Sequence, residues 1–131
     1  MLDTNVLLSA LLFPGQKFDL LLANIFSCHE LVLSNFLLDE LRKVVAKKFS
    51  QKTDALERFI SALSFEFVIV PENYEQDVPI RDPNDYPVLL GAFIGNVDVL
   101  VTGDKDFTDL GIPKPEILTP SAYIDKYVSK P

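Results

Sequence analysis

Residues 85–107 read DYPVLLGAFIGNVDVLVTGDKDF, and this stretch predicts a helix, a strand and a polar turn in that order. Asp85 can cap a helix that ends at the Gly-Asn pair ten residues later. Residues 97–101 are apolar and β-branched enough for a buried strand. This strand leads directly into a turn that carries Asp104 and Asp106. Carboxylates crowded at the end of a buried strand repel each other, so a cation between them is one explanation for the pattern.

Short apolar runs alternate with helical patterns along the rest of the chain. Thr4 or Asn5 is the expected cap of the first helix, and Ser34 is the expected cap of the third. We predict strands at Leu2 and residues 31–33, 65–70 and 116–118, and helices at residues 6–12, 18–26, 35–48, 52–63 and from Pro120 onward. Alternating strands and helices indicate an α/β fold with a parallel sheet. No linker interrupts the pattern, so we expect one domain over residues 1–131.

Composition limits the class of protein. A chain of 131 residues that are 48% hydrophobic buries a sizeable core. The apolar runs fall far short of the roughly 18 residues that span a bilayer, and no basic segment typical of a signal peptide precedes them. The single cysteine, Cys28, cannot form an internal disulfide, which suits a reducing compartment. We therefore expect a cytoplasmic protein without membrane attachment.

The charge of the chain is unevenly distributed. The net charge is −7, which disfavours nucleic acid as a partner because phosphate affinity comes largely from Lys and Arg. Six of the twelve basic residues, however, lie between residues 42 and 58, where only two acidic residues oppose them. The first members of this group are Arg42, Lys43, Lys47 and Lys48. Such a run is usually a solvated helix face, and the alternative is a surface that contacts phosphates.

Four acidic residues are expected at one edge of the sheet. Asp3 ends the first strand and Asp104 follows a later one, so both lie at the carboxyl edge, where open α/β sheets bind ligands. Glu40 lies in the early turns of a helix that follows a strand, beside an apolar stripe. Asp85 stands at a helix start. Each residue has an ordinary structural explanation alone, but their coincidence at one edge favours a shared site.

Four segments resemble the PIN domain family, and more narrowly its free-standing, toxin-like branch related to VapC ribonucleases. These segments are LDTNVLLSALL (2–12), LSNFLLDELRKVV (33–45), the stretch from RDPND to GDKDF (81–107) and ILTPSAYI (117–124). They are distributed across nearly the whole chain, in the order and with spacings like those of the family. The family normally places several apolar residues before the DTN element, whereas only two precede it here.

The resemblance implies a three-layer α/β/α sandwich with a short central parallel sheet and an acidic quartet that binds metal. Carried over by motif, the catalytic and metal-binding residues are Asp3, Glu40, Asp85 and Asp104, with Asp85 preferred to Asp82 as the third acid. Asn5 and Thr102 match positions that commonly support these ligands. Asp106 is an auxiliary candidate that ligates through water or orients Lys105.

An acidic quartet without His or Cys ligands suits Mg²⁺ or Mn²⁺ better than zinc. The resemblance therefore predicts a metal-dependent endoribonuclease that cleaves single-stranded or looped RNA, with Arg42, Lys43, Lys47 and Lys48 contacting the RNA backbone. It also implies the toxin of a type II toxin–antitoxin pair, with an antitoxin protein as partner and a homodimeric state. The alternative is a catalytically silent PIN module that acts as a protein-binding scaffold.

Overall fold

The structure is a computed structural model that describes residues 1–128. Its α-helices are α1 (Thr4–Leu12), α2 (Gln16–Cys28), α3 (Asn35–Lys48), α4 (Thr53–Ala62), α5 (Tyr86–Ile94) and α6 (Pro120–Tyr123). Its strands are β1 (Val32–Ser34), β2 (Glu66–Val68), β3 (Val99–Val101) and β4 (Glu116–Leu118). Short 3₁₀ turns lie at Ser50–Lys52, Pro83–Asp85 and Lys105–Phe107, and a π-helical turn at Ile124–Val128 follows α6.

The strands are short, and all of them pair in parallel. β1 pairs with β2, β3 pairs with β4, and Leu2 forms an isolated parallel bridge with Val101. The predicted α/β class with parallel strands is therefore confirmed, and so is the predicted strand stub at Leu2. The described residues form two separate two-stranded ladders in place of the expected single sheet.

The first helix begins earlier than predicted because Asp3 is its cap. The Asp3 carboxylate accepts a hydrogen bond from the Thr4 N–H at 2.7 Å, and the Asp3 carbonyl accepts from the N–H groups of Val6 and Leu7. The expectation that Thr4 or Asn5 caps this helix was wrong. A cap satisfies N–H groups that have no partner within the helix, so this capping role contributes to fixing Asp3 in place.

Helix α3 has the predicted bounds, and its predicted cap is confirmed. The Ser34 hydroxyl accepts a hydrogen bond from the Leu37 N–H at 3.2 Å and is fully buried. The next residue, Asn35, uses its side-chain amide to bond both the N–H and the carbonyl of Val70, at 2.7 and 3.2 Å. A side chain therefore takes over from the strand ladder at Val70, which explains why β2 ends before the predicted residue 70.

The entry to helix α5 differs from the prediction. Asp85 makes no capping hydrogen bond with its side chain. Asp82 instead caps the preceding 3₁₀ turn by accepting from the Asn84 N–H at 3.0 Å. Pro83 opens this extra turn, and the chain is already helical when it reaches α5. The side-chain cap therefore lies at Asp82, three residues before Asp85. Asp85 therefore occupies the predicted N-cap position of α5, but its side chain does not make the capping hydrogen bond.

Helix α5 packs closely on the first ladder. A Cβ atom at Gly91 would lie 3.2 Å from Val70 and 3.3 Å from the Ser34 Cβ, and one at Gly95 would lie 3.0 Å from Val32. The absence of a side chain at these two glycines therefore allows the helix to approach the strands. One cluster of buried apolar side chains draws on the helices and strands together, with leucines at positions 7, 21, 33, 37, 41, 56, 89 and 100 at its centre.

None of the helices within residues 1–128 is both long enough and apolar enough to cross a membrane.

Candidate metal centre

Backbone pairing between the first residues and β3 places Asp3 at the carboxyl end of that strand. The Val101 N–H donates to the Met1 carbonyl at 2.9 Å, and the Asp3 N–H donates to the Val101 carbonyl at 3.0 Å. Asp3 therefore lies beside Thr102, although the two residues are 99 positions apart in sequence. Both are almost completely buried, at 5% and 2% exposure.

A chain of hydrogen bonds then connects Asp3 to the turn after β3. The Thr102 hydroxyl donates to Asp3 Oδ2 at 2.7 Å and accepts from the Asp104 N–H at 3.0 Å. Asp104 in turn caps the 3₁₀ turn, because its Oδ1 accepts from the Asp106 N–H at 2.9 Å. The Thr102 hydroxyl therefore orients one carboxylate and positions the backbone of another.

The buried Asp3 carboxyl carries an electrostatic strain. Burial raises the pKa of Asp3 most strongly, and hydrogen bonds from Thr102 and Thr4 lower it. The negative charges of Glu40 and Asp104 raise the pKa of Asp3 further. Glu40 on helix α3 is therefore close enough to Asp3 for its charge to act on the Asp3 carboxyl.

Three further carboxylates converge beside this chain. Ligand oxygens of Asp82, Asp85 and Asp106 all lie within 4.8 Å of one another, and each side chain is half-buried. Asp82 and Asp85 come from the 3₁₀ turn before α5, and Asp106 comes from the turn after β3. Oxygens at this separation can share one hard cation, whose ligand distances are about 2.0–2.6 Å.

Asp85 interacts with every aspartate of the centre. Burial raises the pKa of Asp85 to about 7, and the charges of Asp104, Asp82, Asp106 and Asp3 add to this increase. Since Asp85 makes no capping hydrogen bond, helix capping does not account for its position. Its carboxylate is available to a cation instead.

The structure therefore brings together Asp3, Asp85 and Asp104 of the predicted quartet, with Glu40 acting on Asp3. Asn5 is exposed on the first turn of α1. Asp106 lies in the group of three close carboxylates, and its described ion-pair partner is Arg81 rather than the expected Lys105.

Sequence reasoning missed two participants, Asp82 and Arg81. The available signal was spacing, because residues three apart lie on one face of a helical turn. Asp82 and Asp85 have that spacing. Asp85 was preferred to Asp82 as the third acid on the spacing of the family motif, whereas Asp82 caps the 3₁₀ turn and also belongs to the carboxylate cluster.

The predicted RNA-contacting residues lie along helix α3. Lys43, Lys47 and Lys48 are exposed. Arg42 differs, because its guanidinium bonds both carboxylate oxygens of Glu57 on α4, at 2.8 and 3.3 Å. This pair raises the pKa of Arg42 and lowers the pKa of Glu57. Arg42 therefore links two helices in this structure.

The donor set fits a hard divalent cation. The converging ligands are carboxylate oxygens. Four other aspartates add to the negative potential at Asp85. The Thr4 hydroxyl, next to Asp3, is buried without a hydrogen-bond partner in the described part of the chain. A hydrated ion would bring both positive charge and water molecules to this region, and Mg²⁺ and Mn²⁺ retain such waters in protein sites.

The Thr102 hydrogen bonds yield a stability prediction. Thr102→Val should lower the free energy of unfolding by about 1–3 kcal/mol, because it leaves Asp3 Oδ2 and the Asp104 N–H without a partner. Thr102→Ser keeps the hydroxyl and should lose less. Urea denaturation of the metal-free proteins measures both values. A loss for Thr102→Val no larger than that for Thr102→Ser would show that the hydrogen bonds of the hydroxyl contribute no more to stability than the methyl group does.

The pKa of Asp85 yields a pH prediction for metal-free protein. Between pH 5 and 7 the native state still holds a proton on Asp85 that the unfolded chain has lost, so stability falls as pH rises through this interval. Asp85→Asn removes this dependence. The melting temperature of the variant in EDTA should therefore exceed that of the parent by a margin that widens from pH 5 to 7 and levels off above.

Asp125→Asn is the matched control, because it removes one exposed carboxylate from the C-terminal π-helical turn. Its margin over the parent should stay constant across the same pH range. A constant margin for Asp85→Asn as well would mean that Asp85 ionises normally and is not crowded by the other carboxylates.

Comparison with known proteins agrees with this geometry. A family model described as PIN domain matches residues 1–106, a segment that includes every carboxylate of the centre and ends at Asp106. Comparisons with curated proteins and with solved structures gave no significant match. The match covers well over half of the described chain and confirms the resemblance at the level of the family. The chain belongs to the PIN domain family.

Proposed function

We propose that this protein is an endoribonuclease that uses Mg²⁺ or Mn²⁺ to cleave single-stranded or looped RNA. PIN domains are generally nucleases. The observation that carries the proposal is the convergence of four aspartate charges on Asp85 at the carboxyl end of β3. A divalent cation bound among these carboxylates would offset their mutual repulsion.

Asp3, Glu40, Asp85 and Asp104 would hold the ion in this proposal. Asp3 is the fixed ligand, since its carboxylate is bonded by Thr102 and by the Thr4 N–H and is nearly inaccessible to solvent. Asp104 and Asp85 are half-buried and approach from two different turns. Asp82 and Asp106 would add negative charge around the ion and contact it directly or through water. Asn5 on α1 would support these ligands.

The ion, when bound, would activate water and stabilise negative charge on a phosphodiester. The chain's own residues supply the geometry. Hydrogen bonds from Thr102 fix the Asp3 carboxylate relative to the backbone of Asp104. The buried end of the strand keeps the Asp3 side chain out of solvent. Asp85 is partly protonated near neutral pH without metal, so it releases its proton when a cation binds.

Helix α3 offers a surface for the RNA backbone. Its second turn carries Glu40, and its exposed Lys43, Lys47 and Lys48 continue along the helix. Lysines are suited to phosphates as point charges. Arg42 can join them only by giving up its pair with Glu57. A substrate strand that lies along α3 would therefore pass from these lysines to the acidic centre.

We further propose the toxin role, an antitoxin partner and a homodimer on the resemblance to the toxin-like branch of the family, and a cytoplasmic location on the single cysteine and the composition of the chain. The three-layer arrangement and a single domain over residues 1–131 belong to the same proposal. Several large apolar side chains are exposed and support an interface with another chain, namely Phe13, Leu20, Phe26, Phe67, Ile69, Tyr74 and Ile94. A monomer by light scattering at micromolar concentration would contradict the homodimer.

The central prediction is metal-dependent cleavage. Purified protein should cut single-stranded RNA with Mg²⁺ or Mn²⁺ and stop in EDTA. Asp3→Asn and Asp104→Asn should each slow cleavage at least about a hundredfold, because metal-assisted charge stabilisation is worth several kcal/mol and each factor of ten corresponds to about 1.4 kcal/mol. Gel or fluorescence assays with a labelled RNA measure these rates.

Asp125→Asn again serves as the control and should cleave like the parent. If Asp3→Asn and Asp104→Asn also cleave like the parent, the site assignment is wrong. A folded parent protein that cleaves no RNA with either metal would favour the catalytically silent PIN module.

A further inference from the structure

Arg81 is the cation nearest the acidic centre for which a contact is described, and its backbone is held on both sides. Ile80 before it is buried at 8% exposure, and Asp82 after it caps the 3₁₀ turn. The Arg81 side chain itself is 78% exposed. A long, exposed side chain on a fixed backbone can change partners without disturbing the fold.

The contact that Arg81 makes is loose. Its Nε lies 3.5 Å from Asp106 Oδ1, whereas the other described ion pairs are 2.6–2.9 Å apart. An exposed pair of this kind contributes little to stability. Stability therefore does not explain why an arginine stands at this position.

Asp106 can serve two cations. Its side chain is 21% exposed, and its carboxylate lies within 4.8 Å of ligand oxygens of Asp82 and Asp85. A divalent ion held by these carboxylates would compete with the guanidinium for the same oxygens and would repel it. Arg81 would then be free to bind another anion, and the arginine fork bonds phosphate oxygens in a bidentate manner.

We propose that Arg81 is a substrate-binding residue that exchanges partners: it pairs with Asp106 while the centre lacks metal and contacts an RNA backbone phosphate once metal is bound. This inference rests on the proposed function, since it names the residue that receives the substrate beside the metal. Arg81 should therefore weaken metal binding and strengthen RNA binding.

The test compares the parent with Arg81→Gln, Arg81→Lys and a matched control. Lys114→Gln is the control, because Lys114 is an exposed cation that pairs with Asp98 at 2.9 Å, before the amino end of β3 and away from the acidic centre. Mn²⁺ affinity is measured by calorimetry on metal-free protein without RNA. Cleavage of a labelled single-stranded RNA is then measured with protein in excess, which separates the half-saturating protein concentration from the maximal rate.

Arg81→Gln should bind Mn²⁺ about two- to fivefold more tightly, the range expected from loss of an exposed ion pair. Its half-saturating protein concentration for RNA should rise about tenfold, as for the loss of a hydrogen-bonded phosphate contact. Arg81→Lys should lie between Arg81→Gln and the parent in both measurements. Lys114→Gln should match the parent within twofold, and thermal melts confirm that all four proteins are folded.

The result that overturns the exchange is an Arg81→Gln protein that matches Lys114→Gln in both Mn²⁺ affinity and RNA saturation while the parent cleaves RNA. If Arg81→Gln binds Mn²⁺ more tightly but binds RNA as well as the parent, the exchange is also overturned. Arg81 would then only compete with the metal for the carboxylates. A parent that binds no Mn²⁺ and cleaves no RNA would refute the proposed function, and the exchange with it.

Discussion

The hydrogen bond between the Thr102 hydroxyl and the Asp3 carboxylate is the interaction on which the acidic centre depends. It joins the start of the chain to the end of β3 inside the protein, with both side chains nearly inaccessible to water. The same hydroxyl accepts the Asp104 N–H, and Asp104 accepts the Asp106 N–H. Asp3 also caps α1. One short network therefore fixes a helix start, a strand end and a 3₁₀ turn relative to each other.

Burying these carboxylates close together has an electrostatic cost. Asp3 is buried, and the charges of Glu40 and Asp104 raise its pKa further. The charges of four other aspartates raise the pKa of Asp85. Hydrogen bonds offset part of the cost at Asp3 but do not reach Asp85, where no capping bond is made. The apolar cluster beneath the strands and α5 holds these groups together despite the repulsion. A site that is strained without its ligand gains stability when a ligand of opposite charge binds.

Much of the fold was predictable because local signals and packing agree. Helix α3 has a serine cap, an apolar stripe and basic residues in its last turn, and its predicted bounds are those observed. β4 was also placed correctly. The strand at residues 65–70 is shorter than predicted because the Asn35 amide takes over the backbone groups of Val70, and no strand propensity reveals such a tertiary contact.

The site was predictable in part. The positions of Asp3 and Asp104 followed from strand ends that meet at one edge, and the structure agrees. The roles within the RDPND segment did not follow, because Asp82 and Asp85 are both plausible caps before a proline-containing helix start. Only the 3₁₀ turn decides that Asp82 caps and Asp85 turns toward the other carboxylates. The Arg81 contact depends on a side-chain conformation, which spacing does not determine.

The most direct test of the metal centre is anomalous diffraction at the manganese edge from crystals grown or soaked with Mn²⁺. An ion should lie among Asp3, Glu40, Asp85 and Asp104, bound to them directly or through water. An ion bound only between Asp82 and Asp106, or no ion at the carboxyl end of β3 in well-ordered crystals, would contradict this assignment.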